Sequence, residues 1–243
     1  MPSLKAIIFE FDGVLANTIP LHFRLFRRVL SEQGLTLTLA TYERQYIGLT
    51  DESCFRAVGK AEGRLFTDQE LTQLLFQKRQ LMQQALAEEP VLIPGIEEFV
   101  RAVAERYRLA IASSAVRKEI DLVLERAALE DVFEQISSAE DVAQGKPQPD
   151  LYLHAVAQMN VSEPLQPSEC LAIEDTDHGI TAAQQAGIRC LAVATSLDPG
   201  RLGRADAVVA RLEYGDLAPL IRRFWTAPAL HPPQLMEVMK DRA

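Results

Sequence analysis

Cysteine is scarce: the 243 residues hold three, Cys54, Cys170 and Cys190. An odd number without close spacing argues against a disulfide framework and predicts reduced thiols. Histidine is nearly as rare, and His22, His154, His178 and His231 form neither a His-x-x-x-His nor, with the cysteines, any other zinc spacing. Positive charge is also short, since 25 Lys and Arg against 34 Asp and Glu give a formal net charge of -9. The basic runs are as short as Arg222-Arg223, so no nucleic-acid partner is expected. No stretch of about 18 apolar residues is present, which argues against a membrane-spanning helix and a membrane partner. The start, Met1-Pro2-Ser3-Leu4-Lys5, lacks the charged segment and long apolar core of a secretory signal, and a cytoplasmic location is expected. There is no internal repeat or low-complexity block.

Hydrophobic residues make up 48% of the chain, enough to bury a substantial core. Four short apolar runs, Ala6 to Phe9, Leu109 to Ala112, Cys170 to Ile173 and Cys190 to Ala194, predict buried parallel strands. Helical patterns accompany them at Glu97 to Tyr107, Arg117 to Ala127, Leu151 to Met159 and Gly179 to Ala186. That alternation predicts an α/β fold with a doubly wound parallel sheet. Residues 17–88 break the rhythm with helical patterns such as Leu21 to Ser31 and Leu71 to Leu86, and without a convincing strand. An inserted helical domain is the economical reading, with the core formed by 1–16 and 89–224. Pro90 and Pro94-Gly95 mark the return. Residues 225–243, with Pro228, Pro232 and Pro233, read as an appendage.

The first apolar run ends in Glu10-Phe11-Asp12-Gly13, which delivers two acids into a turn. Residues i and i+2 of a strand share a face, so both carboxylates are expected at the carboxyl end, where open α/β sheets place their ligands. Such a pair can hold a divalent cation and leave one carboxylate for chemistry. After the second run come Ser113 and Ser114, a hydroxyl-bearing turn suited to phosphate oxygens. Gly145-Lys146-Pro147 precedes a helix, and Glu174-Asp175-Thr176 follows the third run. Taken singly, each has an ordinary structural explanation as a turn, helix start or cap. Together, in this order and at strand or helix ends, they form a specific combination.

The combination resembles the motifs of the haloacid dehalogenase superfamily, whose first motif is Asp-x-Asp-Gly. Here the nucleophilic aspartate is replaced by Glu10, and Asn17 stands where aspartate often precedes Thr18. The helical insertion looks like the small cap of the branch containing beta-phosphoglucomutase and many sugar-phosphate phosphatases. Pro20-Leu21-His22 resembles its segment after the first motif, and Gly48-Leu49-Thr50-Asp51-Glu52 its cap loop. The resemblance implies a magnesium-dependent phosphohydrolase acting on a small phosphorylated metabolite through an acyl phosphate. It implies Glu10 as nucleophile, Asp12 as acid/base, and Ser113 and Lys146 as catalytic groups. Magnesium ligation would fall to Glu10, the Asp12 carbonyl and Asp175, supported by Glu174, and substrate binding to Ser114, His22, Thr18, Gly13 and Arg117. A monomer or small homo-oligomer is expected.

The extra methylene of Glu10 moves its carboxylate by roughly one C–C bond, and misplacement by about 1 Å can cost on the order of 100-fold in rate. Four readings follow: a working nucleophile, a weak phosphatase, an impaired protein that binds a phosphorylated ligand, or a variant sequence of an active enzyme. Asp51 and Glu52 would oppose a second phosphate, which sets a phosphosugar mutase behind a hydrolase unless Arg56, Lys60 or Arg117 points into the cleft. Haloalkanoic acid dehalogenation is less favoured, because it uses no magnesium.

Overall fold

The computed structural model describes residues 3–226 apart from residue 162. In chain order its main elements are β1 (Ala6–Phe9), α1 (Ile19–Glu32), α2 (Leu39–Gln45), α3 (Asp51–Ala61), α4 (Asp68–Glu88), α5 (Ile96–Ala104), β2 (Arg108–Ala112) and α6 (Arg117–Arg126). They continue with β3 (Gln135–Ser137), α7 (Asp150–Met159), β4 (Cys170–Glu174), α8 (Asp177–Gln185), β5 (Arg189–Val193), β6 (Ala207–Val209) and α9 (Tyr214–Thr226). The expected appendage lies outside the described residues from 227 onward, and α9 runs through its first two positions.

All strand pairs are parallel, in the order β3-β2-β1-β4-β5-β6. The strand order reverses direction at β1 and β4, so their carboxyl ends flank the crevice where such sheets bind ligands. β1 can occupy the centre because Ala6-Ile7-Ile8-Phe9 has no polar side chain to bury. Its alternation divides the interior into two layers. Ala6 and Ile8 join Leu151, Tyr152 and Ala155 of α7 and Ile180 and Ala183 of α8. Ile7 and Phe9 join residues of α5, α6 and α9, including Phe99, Ile120 and Leu217.

Residues 19–88 contribute α1 to α4, with no strand among the described residues. Pro20 opens α1, and a reciprocal capping box between Thr67 and Glu70 starts α4. The segment read as a loop through Glu52 differs: Thr50 caps α3, while Asp51 and Glu52 form its first turn, where acids suit the helix dipole. The Phe26 and Phe55 rings meet edge to face at 5.1 Å. These aromatic residues belong to the same apolar cluster as Ala6 and Ile8. The chains entering and leaving the insertion are stitched together, with Asn17 N–H donating to Val91 C=O at 2.6 Å and Ile93 N–H to Leu15 C=O at 3.0 Å. No helix among the described residues is long and apolar enough to cross a membrane.

Candidate active site

The turn after β1 positions the first two acids. Glu10 N–H still pairs with Ile173 C=O at 2.9 Å, and the chain then reverses through Gly13, whose φ is +79°. A side chain there is barred twice, by that backbone conformation and because a Cβ would lie 1.8 Å from Asp175 Oδ2. Glycine thus lets the turn after β1 close upon the carboxylate at the end of β4.

Glu10 is tightly engaged. Its Oε1 accepts from Phe11 N–H at 2.7 Å, Asp12 N–H at 3.2 Å and the Ser113 hydroxyl, while Oε2 pairs with Lys146. The ammonium of Lys146 also reaches Ala112 C=O at 2.9 Å and Glu174 Oε1 at 2.5 Å, so its three donors have three acceptors. Tyr152 donates to the same Glu174 oxygen at 2.6 Å. Glu174 therefore supports Lys146, and the tyrosine that completes this arrangement carries no sequence motif.

Asp12 is held by different partners. Thr18 donates to Oδ1, and His22 Nε2 lies 3.5 Å from that oxygen. The other imidazole nitrogen, Nδ1, is 2.9 Å from the buried ammonium of Lys78. Lysine can only donate, so Nδ1 is assigned as the acceptor and Nε2 as the N–H that faces Asp12. Lys78 also pairs with Asp51 Oδ1 at 2.6 Å and stands 4.5 Å from the Phe26 ring centroid.

These environments drive the two neighbouring acids apart. Burial raises Glu10 to about 7; Lys146 opposes the rise, and Glu174 and Asp12 add to it. Burial also works to raise Asp12, but His22, Thr18 and Lys78 outweigh it and leave the carboxyl below its usual range. Lys146 is destabilised by burial, yet Glu10 and Glu174 more than compensate and raise its pKa.

Asp175 is driven well upward by burial and then by Glu174. The Ser196 hydroxyl is near enough to oppose this rise, but neither Asp175 oxygen has a hydrogen bond of ordinary geometry. Two orphaned carboxylate oxygens, beside a second acid at a strand end, fit a hard divalent cation. Among the described residues no three His, Cys, Asp or Glu side chains are grouped to hold a metal. For such a cation Asp175 and Glu10 would supply at most a partial set, to be completed by main-chain oxygen or water, and the Glu10 oxygens are meanwhile engaged by Ser113 and Lys146.

Above these groups opens a cleft of about 580 Å³. Ser114 lines it with a buried hydroxyl lacking a hydrogen-bond partner. Arg117 stays on the surface, paired with Asp121 at 2.8 Å. Arg56 is likewise occupied by Glu52 and Asp68, and Lys60 is exposed and absent from the cleft lining. Positive charge on the helical side comes instead from Lys78, buried behind Asp51, and Arg79 in the lining. Sequence reasoning missed both, since they lie inside the regular pattern of α4. Glu119 was missed too; it lines the cleft from α6 with only 4% exposure.

The family profile for haloacid dehalogenase-like hydrolases matches residues 7–193, and the chain belongs to that family. It is 32% identical over 191 residues to the putative phosphatase YhcW of Bacillus subtilis, covering 78% of this chain and 83% of that protein. It is also 32% identical over 213 residues to beta-phosphoglucomutase of Bacillus subtilis, covering 85% and 89% of the two chains. Among solved structures, beta-phosphoglucomutase from Clostridium difficile superposes with a TM-score of 0.83 at 21% identity, covering 92% of this chain and all of that one, a likeness of fold.

Proposed function

We propose that this protein is a magnesium-dependent phosphohydrolase for a small phosphomonoester such as a sugar phosphate. Residues 17–88 act as a cap over the core of 1–16 and 89–224. The main support is the meeting of Glu10, Asp12, Ser113, Lys146 and Asp175 around the switch point, in a chain of this family. Magnesium, when bound, would be held by Asp175, Glu10 and the Asp12 carbonyl, and would supply positive charge against the phosphate oxygens. Ser113 and Lys146 orient Glu10 for attack on phosphorus to form the acyl phosphate. Substrate negative charge offsets Lys78 and raises Asp12, so its carboxyl can hold the proton passed to the leaving oxygen. After departure of the alcohol, the same carboxylate takes a proton from the attacking water. Thr18 and His22 hold it on line through both halves.

A second reading, a phosphate-ligand-binding protein with impaired turnover, draws on the occupation of Glu10 by Lys146, Ser113 and Phe11 N–H. The deciding experiment is magnesium-dependent phosphate release from small phosphomonoesters by the native chain, Glu10→Asp and Asp12→Asn. Native turnover that falls roughly 100- to 10,000-fold in Asp12→Asn supports the hydrolase. Turnover confined to Glu10→Asp supports the binding reading, and full activity in Asp12→Asn removes Asp12 from the acid/base role.

A further inference from the structure

Glu119 sits in the first turn of α6, just beyond Ser113 and Ser114. It is nearly buried, yet its carboxyl makes no hydrogen bond or ion pair and its oxygens are not sealed from solvent, since the residue lines the cleft. It shares the cleft lining with Asp12, His22 and Asp51, and their charges and that of Lys78 act on it. The unpartnered Ser114 hydroxyl stands on the same wall. A carboxylate without partners facing a cavity, with a further unpartnered hydroxyl just beneath the same wall, is what a polar ligand would complete.

The charges around them define that ligand. Away from Lys146 the lining carries Asp51, Glu52, Glu119 and Glu140, while Arg79 is the cation there and lies 3.9 Å from Glu140. Acceptors outnumber donors on this side. A second phosphate would meet repulsion, whereas a group rich in O–H donors would find partners.

The geometry points to Glu119 as the specificity-determining acceptor for the alcohol part of the substrate, with Ser114 beside it, selecting polyhydroxylated monophosphates over unsubstituted or bisphosphorylated esters. This rests on the phosphomonoester reading and names its substrate class. Glu119 accepts hydrogen bonds from the substrate hydroxyls and takes no part in proton transfer. Burial raises its carboxyl to about 7, against the pull of Lys78, so substrate hydroxyls would replace solvation that the site withholds.

Calorimetric affinity and steady-state turnover for hexose 6-phosphate, phenyl phosphate and hexose 1,6-bisphosphate separate the possibilities in the native protein, Glu119→Ala and Glu119→Gln. Native protein is expected to prefer the hexose monophosphate. In Glu119→Ala the affinity ratio of hexose phosphate to phenyl phosphate falls roughly 10- to 100-fold, and Glu119→Gln, which keeps an acceptor, restores part of it. The bisphosphate gains in both variants. An unchanged ratio in variants that remain folded, with one cooperative melting transition, overturns the proposal, as does failure of the native protein to bind any of the three. Glu119-dependent binding without turnover leaves the proposal standing and removes the hydrolase reading; turnover with an unchanged ratio does the reverse.

Discussion

The floor and roof of the cleft solve the problem of buried charge in opposite ways. On the floor, at the strand ends, Lys146 lies between Glu10 and Glu174, and the further acid Asp175 has no hydrogen bond. On the roof, Lys78 of α4 is completely buried but its partner Asp51 remains 28% exposed at the side chain, and the His22 ring accepts from the same ammonium. Negative charge therefore accumulates in the floor and is diluted into solvent at the roof. The floor thus leaves an acid without a partner, while the roof lets its acid reach water.

Replacing the two lysines breaks the comparison most directly. Lys146→Met strands Glu10 and Glu174 and should cost about 3–5 kcal/mol in urea denaturation, the range for removing one partner of a buried pair. Lys78→Met leaves an acid that reaches water, and a smaller loss of about 1–2 kcal/mol is expected. Equal losses would show that floor and roof are not distinguished by burial.

The smallest effect carries an unusual sign. Glu119 has its folded pKa raised to about 7 from 4.5, so the protonated form is favoured by folding. Its relative contribution is fully present below the unfolded value of 4.5 and is lost as pH rises through about 7. Glu119→Gln should therefore raise the melting temperature at pH 8 by a few degrees and change it little at pH 4.5. Uniform destabilisation at both pH values would show that the carboxylate is satisfied in the folded protein.

The same division explains what the sequence discloses. The central strands are legible because four or five apolar residues in a row leave few alternatives, and β1 is found with the bounds read from its sequence. β3 and β6 are missed because each has only three residues, too few for a periodicity. α2 and α3 are missed for other reasons: α2 has only seven residues, and at α3 Thr50-Asp51-Glu52 reads equally as a turn and as a capped helix start. On the floor, Glu10, Asp12, Ser113, Lys146 and Asp175 stand beside strand ends or turns, where polar residues interrupt apolar runs. Lys78, Tyr152 and Glu119 sit within helices. Charges there resemble a solvated face until tertiary packing fixes their direction. Arg117 shows the converse error: helical position alone did not reveal that it turns toward Asp121.

Glu10 carries a consequence for competition. Its carboxylate already occupies the Ser113 hydroxyl and the Lys146 ammonium, donors that a free phosphate in the site would also seek. A tethered group competes at an effective concentration that can reach the millimolar range or above. Free phosphate, the product of the proposed reaction, must displace this internal rival before it can settle. Glu10→Asp, with a shorter reach, is expected to bind inorganic phosphate more tightly by calorimetry; equal affinities would show that Glu10 does not compete. The added methylene would then act as a brake on product retention, trading nucleophile alignment for a site that empties itself.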